Sequence, residues 1–455
     1  MIGTRLRLIL LGAVFAMLPA ATLAQSLGDT LAAAYRESGL LRQNEALLRA
    51  ADEDAAQALA ALRPVLSYIG RLNYTDPVAP TADNVSGSLS LQADMLLSDF
   101  GETRLGLEAA RETVLQTRAQ LLDVEQGVLF TAVSAFFNVR RNQAFVQLQA
   151  NNVELLSEQL RATQDRFEVG EVTRTDVAIA ESRLAAARSG LAAAEGDLRV
   201  AREEYKSVTG SFPRTLASPP PTPRTAPSLA AAKDIAMKTN PDILAAQRDV
   251  TVSELNLRRA EAGLRPSLNG SATFSLDDEG DDSQSVGITL SGPIYQGGQL
   301  TSVIRRARAF VEASRGNLIE TARNVEQGVG EAWATIAVAN AQVTATDEGV
   351  RAARVALRGA REEFSVGSRT TLDVLDLEQD LLQAETDRIS ALIDRDLAAY
   401  QLLSAMGRLT AKDLQLGVPI YDPEAYFNAV KNAPTTDVSP QGERLDRILR
   451  AIGRE

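Results

Sequence analysis

The 455-residue chain contains no cysteine and no histidine. Without them there is no Ser-His-Asp triad, no cysteine nucleophile, no zinc finger, no disulfide and no lipid-modified N-terminal cysteine. Carboxylate chemistry alone remains, and no pocket-forming pattern accompanies the discrete carboxylate pairs, so the expectation is a protein that is not an enzyme and carries no cofactor or metal. Aromatic residues make up only 5%. Basic residues are outnumbered, 47 against 59 acidic, for a net charge of −12; a nucleic-acid surface, built from clustered Lys and Arg, is excluded. Long apolar runs are missing beyond the N-terminus, which excludes a membrane-spanning helix.

What is present begins with Arg5 and Arg7, an apolar stretch from residue 8 to 18, then Pro19 and a small-residue end at Ala24. Residues 1–24 read as a cleaved secretory signal, since the apolar run is shorter than the roughly 20 residues a bilayer core requires. Removing them takes away two Arg and no acid, leaving −12 − 2 = −14. Alanine is abundant, at 71 residues. That density favours long, closely packed helices.

The mature chain is duplicated. QDRFEVGEVTRTDV from Gln164 returns as REEFSVGSRTTLDV from Arg361 at an offset of 197, Val124-Glu125-Gln126-Gly127-Val128 returns from Val325 at 201, and Leu62-Arg63-Pro64 from Leu264 at 202. The drop from 201 to 197 predicts a first copy four residues longer within its long helix, close to one turn. The copies span 25–210 and 228–410. Residues 211–227, with six of the seventeen prolines, form an extended linker. A tail, 411–455, is expected to strap the helices around Tyr421 to Phe427 and then to be disordered.

No proline occurs from 81 to 212 or from 294 to 418. Those intervals admit long helices, predicted over 101–168 and 298–365, each a rod of roughly 100 Å at 1.5 Å per residue. Return helices are predicted over 173–209 and 370–409. Ala180, Ala187, Ala194 and Ala201 recur every seven residues, with Leu184, Leu191, Leu198 and Tyr205 four positions later, a coiled-coil seam whose small side lets helices approach closely. Trp333, the only tryptophan, sits inside a long helix and reads as packing.

The hairpin segments 64–97 and 266–294 have period two. Leu66, Tyr68, Leu72 and Tyr74 alternate with polar residues, with Ile69 the one lapse; Leu89, Leu91, Ala93 and Met95 follow, then Leu268, Ala272, Phe274 and Leu276, then Val286, Ile288 and Leu290. The opposite face is Ser, Thr, Asn and Gln, and the length suits a transmembrane β-barrel strand. Tyr68, Tyr74 and Phe274 fit either an aromatic belt or ordinary strand packing. Four strands cannot close a barrel, and hydrocarbon tolerates no open edge, so the chain must oligomerise through its strands. Two copies give eight strands and three give twelve; the sequence does not choose. A soluble or peripheral periplasmic coiled-coil adaptor is the rival class, and it leaves the strands unexplained.

Two tandem copies with a long helix, a strand hairpin and a Val-Gly…Asp-Val turn resemble the TolC family of outer-membrane efflux and type I secretion ducts. The resemblance runs from residue 26 to about 416 and is most specific at FSVGSRTTLDVLD (364–376), at its partner 167–177 and at GPIYQGG (292–298). It implies a homotrimer in outer-membrane lipid, with a twelve-stranded transmembrane β-barrel above long antiparallel coiled-coil helices that form a periplasmic α-barrel. It also implies two partners at the helical tip: a periplasmic adaptor (membrane fusion protein) and an inner-membrane transporter of RND or ABC type.

Asp373 and Asp376, three apart on one helix face, would then form two stacked acidic rings that attract cations and raise their own pKa values; by resemblance they match the family's constriction. Arg369 with Thr175 and Asp176 matches the gate latch, and Val169, Gly170, Val366 and Gly367 match the adaptor-docking turns. Phe364 stands where some relatives have a tyrosine hydroxyl in that latch, so one donor is missing. Cargo is left open between small molecules and secreted protein. Soft metal ions are disfavoured because only Met95, Met237 and Met406 survive signal removal.

Overall fold

The computed structural model describes residues 24–76, 84–431 and 447. The signal segment, the centre of the first strand loop and nearly all of the tail beyond Lys431 lie outside the described residues. In chain order the elements are α1 (Leu27–Glu37), α2 (Gly39–Ala60), β1 (Val65–Tyr74), β2 (Val85–Ser98), α3 (Glu102–Glu168) and α4 (Arg174–Thr209), then α5 (Leu229–Thr239), α6 (Pro241–Ala262), β3 (Ser267–Asp277), β4 (Asp282–Ser291), α7 (Gln299–Ser365), α8 (Thr371–Ala405) and α9 (Pro423–Val430). The fold is mainly helical, and the second half repeats the first element for element.

The two long helices are both 67 residues, and both start and end at an offset of 197. The expected extra helical turn in the first copy is absent. The additional residues lie in the strand hairpin, where β1 to β2 spans a longer loop than β3 to β4. Val-Glu-Gln-Gly-Val therefore recurs one turn out of structural register. Burial follows the structural offset: Ala132 and Ala135 are buried, as are Val329 and Ala332, whereas Glu125 is buried and Glu326 is exposed.

The strands form one antiparallel sheet in the order β1-β2-β3-β4. β2 pairs with β3 across the repeats, with Leu91 opposite Phe274 and Ala93 opposite Ala272. Its apolar face is bare: Tyr68 is 82% exposed and Val286 87%. Among the described residues no helix is long and apolar enough to cross a membrane.

Below the sheet, the small-residue seam packs as expected. Ala180, Ala187, Ala194 and Ala201 are buried with Leu184 and Tyr205. The main core sits at the middle of the long helices, where Phe136 and Phe137 meet edge to face at 5.5 Å and the buried Tyr205 hydroxyl lies 2.8 Å from Thr30 Oγ1. Trp333 packs at its margin. The proline-rich linker is pinned rather than free. Gln25 bridges Leu216 in parallel, Arg140 donates to the Ala217 carbonyl and the Thr222 hydroxyl donates to Asp396 at 3.3 Å.

The strap expected after residue 411 contains a helix, α9. Tyr421 and Phe427 pack against Leu48, Ala55 and Val114.

Candidate functional site

The end of the helical rod farthest from the sheet is built from two copies of one turn. Gly170 takes φ +80° and Gly367 φ +77°, a left-handed conformation open to glycine without a Cβ penalty. Gly170 N donates to Phe167 O at 3.0 Å and Glu171 N to Arg166 O at 2.9 Å; Gly367 N and Ser368 N repeat this to Phe364 O and Glu363 O, both at 3.0 Å. These are Schellman closures that satisfy the last carbonyls of the long helices. Val169 and Val366, beside them, are exposed.

Each return helix then opens with a capping box. The Thr370 amide and hydroxyl donate to the Asp373 carboxylate at 3.0 and 2.7 Å, and Thr173 treats Asp176 in the same way at 2.8 and 2.7 Å. Threonine and aspartate three apart satisfy orphan amides reciprocally. The backbone amide of Thr370, then its hydroxyl, with Arg369 adding a smaller attraction, hold the Asp373 carboxyl below its ordinary range. The hydroxyl and amide of Thr173 do the same for Asp176. The upward shift expected of a ring belongs to several chains together; within one chain capping works in the opposite direction.

Within the chain, Arg369 pairs with Glu363 at 2.5 Å, so Arg369, Thr175 and Asp176 are not brought together. Asp376 is bound across the hairpins, to Arg183 of α4 at 2.5 Å. Arg166 of α3 lies 4.9 Å over the ring of Phe364, so the side chain that lacks a hydroxyl receives a cation instead. Arg361 reaches the buried Glu378 at 2.9 Å. Beneath these contacts, Leu375 of α8 joins Leu156, Leu184 and Ala187 of the first hairpin.

Sequence reasoning missed Arg183, Arg166 and the two cap threonines. The Thr-x-x-Asp pattern was there to be read, but no spacing rule finds Arg183, because its partner lies on another hairpin.

A long helical rod ending in polar, duplicated turns, beneath a four-stranded sheet with a bare apolar face, defines an outer-membrane channel protein with a periplasmic helical tunnel. The family model for the outer membrane efflux protein matches residues 31–211 and 234–408, and the chain belongs to that family. It is 34% identical over 420 residues to the outer membrane efflux protein BepC of Brucella suis, covering 90% of this chain and 92% of the relative. With the outer membrane protein TolC of Escherichia coli it shares 27% identity over 86% of this chain and 84% of that one. Among solved structures the channel protein CusC superposes with a TM-score of 0.78 at 19% identity, over 85% of this chain and 92% of the other. The protein is thus a TolC-family outer-membrane protein.

Proposed function

We propose that three copies close head to tail into a passive channel, the exit duct of a tripartite efflux or type I secretion system. It carries no catalytic residue or cofactor, and a periplasmic adaptor and an inner-membrane transporter of RND or ABC type engage its tip. One observation carries the reading: sheet and helices are left open at matching ends. The sheet ends in β1 on one side and β4 on the other. In the rod, α3 packs on α4 and on α8, and α8 on α7, giving the order α4-α3-α8-α7. Within one chain α7 has no seat on α4 like that of α3 on α8.

The duplication supplies the missing contact. What α3 does to α8 inside a chain, α7 does to α4 of the next, and β4 pairs with the next β1. Such a head-to-tail interface makes a ring if its rotation closes. Three copies give twelve strands and leave a lumen, whereas two give eight, which side chains fill.

In that ring the expected latch would form between neighbouring chains. Arg369 follows α7, and Thr175 and Asp176 open α4, so they face one another only between chains. The bare apolar sheet face argues against the soluble adaptor, which would have to bury it.

Arg141 of α3 pairs with Asp394 of α8; subtracting or adding 197 carries that contact to Asp197 and to Val338, which is 55% exposed. A chain without cysteine makes the test clean. With Asp197→Cys and Val338→Cys together, a short bis-maleimide applied to outer membranes is expected to yield covalent dimers and trimers and nothing larger, and neither single variant should do so. A ladder ending at the dimer, or cross-linking confined to one chain, would overturn the ring.

A further inference from the structure

Asp52 of α2 is wholly enclosed, and neither of its carboxylate oxygens has a hydrogen-bond partner. Such a group is costly to bury in its charged form. The lid over it is the strap. The Tyr421 hydroxyl, also unpartnered, lies with its ring against Leu48, Ala55 and Val114, and Tyr426 and Val430 of α9 pack on Ala56.

Arg118 of α3, whose charge acts on Asp52, is engaged with the strap. It donates to the Pro423 carbonyl at 3.1 Å, lies 3.8 Å from Glu424 and stacks 5.2 Å over Phe427. Its Nε has no partner.

The second repeat shows the same pair without a lid. α2 and α6 are each 22 residues at an offset of 202, so Asp52 corresponds to Glu254, and Arg118 plus 197 is Arg315. Arg315 and Glu254 form an ion pair at 2.6 Å with both side chains in water. One acid–base pair thus occurs in two states in one molecule: joined and open in repeat 2, parted and covered in repeat 1.

We propose that α9 is a proton-linked clasp: it seats on α2 and α3 while Asp52 carries a proton, and lifts more readily once Asp52 ionises and can take Arg118 into the pair its counterpart makes. Burial, with Arg118 opposing and Glu53 adding, pushes the Asp52 carboxyl up to about 7. The other charged groups facing the site are Arg49 and Glu53 on α2, with Asp422 and Glu424 on the strap. Tyr421 and Tyr426 are both pushed up, chiefly by burial, and stay neutral throughout.

The seated form holds a proton that the lifted form releases near the ordinary carboxylate value. Seating is therefore strongest in acid, weakens as pH rises from about 4 to about 7, and changes little above that. From pH 5.5 to 8 the seating constant falls on the order of tenfold.

Hydrogen exchange on the full-length protein in detergent, corrected for the intrinsic pH dependence of exchange, reads this at the amides of α9. Protection there is expected to drop on the order of tenfold from pH 5.5 to 8. Asp52→Asn should hold it high at both, and Glu254→Gln, at the counterpart outside the strap, should keep the pH dependence. If the asparagine disturbs packing, Asp52→Ser keeps the site neutral with less bulk. Equal protection at the two pH values in the parent protein, or an undiminished drop in the neutral variants, would overturn the clasp.

Discussion

Gly407→Ala is expected to unseat the base of α8 and cost the assembled protein several kcal/mol, while the same change at Gly210, its counterpart in the first repeat, costs about 1–2 kcal/mol. Both glycines hold a left-handed conformation, φ +74° and +77°, and both donate a helix-closing bond, Gly407 N to Ser404 O and Gly210 N to Lys206 O, each at 2.8 Å. An added methyl pays the backbone penalty at either place. The surroundings then separate them. At Gly407 a Cβ would lie 2.5 Å from the Thr239 carbonyl oxygen and 2.7 Å from Asn240 Cα, both backbone atoms. At Gly210 it would meet Glu37 Cγ at 3.1 Å, the middle of a flexible side chain that can swing away.

Backing off at Gly407 is hard because the junction is tied on both sides. The Thr239 hydroxyl donates to Met406 O at 2.6 Å and Asn240 Nδ2 to Ala405 O at 3.1 Å, while Leu402, Met406 and Leu409 are buried in the main core. Moving α8 away from the α5–α6 junction breaks those bonds and opens that core together. Heating the detergent-extracted particle and following its dissociation on a native gel should show Gly407→Ala falling apart more than 10 °C below the parent, with Gly210→Ala within a few degrees. Equal shifts would mean that φ, not close approach, sets the cost.

That contrast also marks where the sequence could be read and where it could not. The long helices were legible because proline is excluded from their interiors and Gly101 and Gly298 stand at their starts. The seam was legible because Ala180 to Ala201 keep a sevenfold period, and the strands because Leu66 to Tyr74 and Val286 to Leu290 keep period two. All of these are signals carried by local spacing. The pairing of β2 with β3 joins residues nearly two hundred apart, and nothing local encodes it.

Internal homology misled at one point for a physical reason. A slip of four residues keeps a side chain on nearly the same helix face, so Val-Glu-Gln-Gly-Val at an offset of 201 looked like register although the helices run at 197. The tip residues lie at the two turns, but inside one chain their partners differ from those expected: Arg369 binds Glu363 and Asp376 binds Arg183. Asp373 and Asp176 first serve their own helices as caps, and any role in the lumen is additional to that.

Arg183→Ala and Asp376→Ala are expected to widen the channel alike yet to change its ion preference in opposite directions, which separates the two roles open to Asp376. Their bond joins α4 to α8, so losing either partner loosens the first hairpin from the second. An exposed pair of this kind is worth about 0.5 kcal/mol, and in the proposed trimer three that open as a unit would supply about 1.5 kcal/mol, roughly tenfold in the open population. In planar bilayers both variants should therefore raise the mean conductance severalfold. If the proposed ring places Asp376 at its mouth, Arg183→Ala leaves unpaired carboxylates there and should sharpen the preference for cations, whereas Asp376→Ala removes that charge and should blunt it.

Arg369→Ser tests the junction between chains instead. Arg369 is held by Glu363 within its own chain, so added conductance that Glu363→Gln does not reproduce would come from the contact proposed between chains. Were Arg183→Ala to conduct like the parent while Arg369→Ser opened the channel, the closed state would rest on the seam between copies, and the bond inside the chain would be only a brace for the hairpin. Were both silent, closure would lie with the apolar packing of Leu375 against Leu156, Leu184 and Ala187, and truncating Leu375 would be the change that opens the mouth.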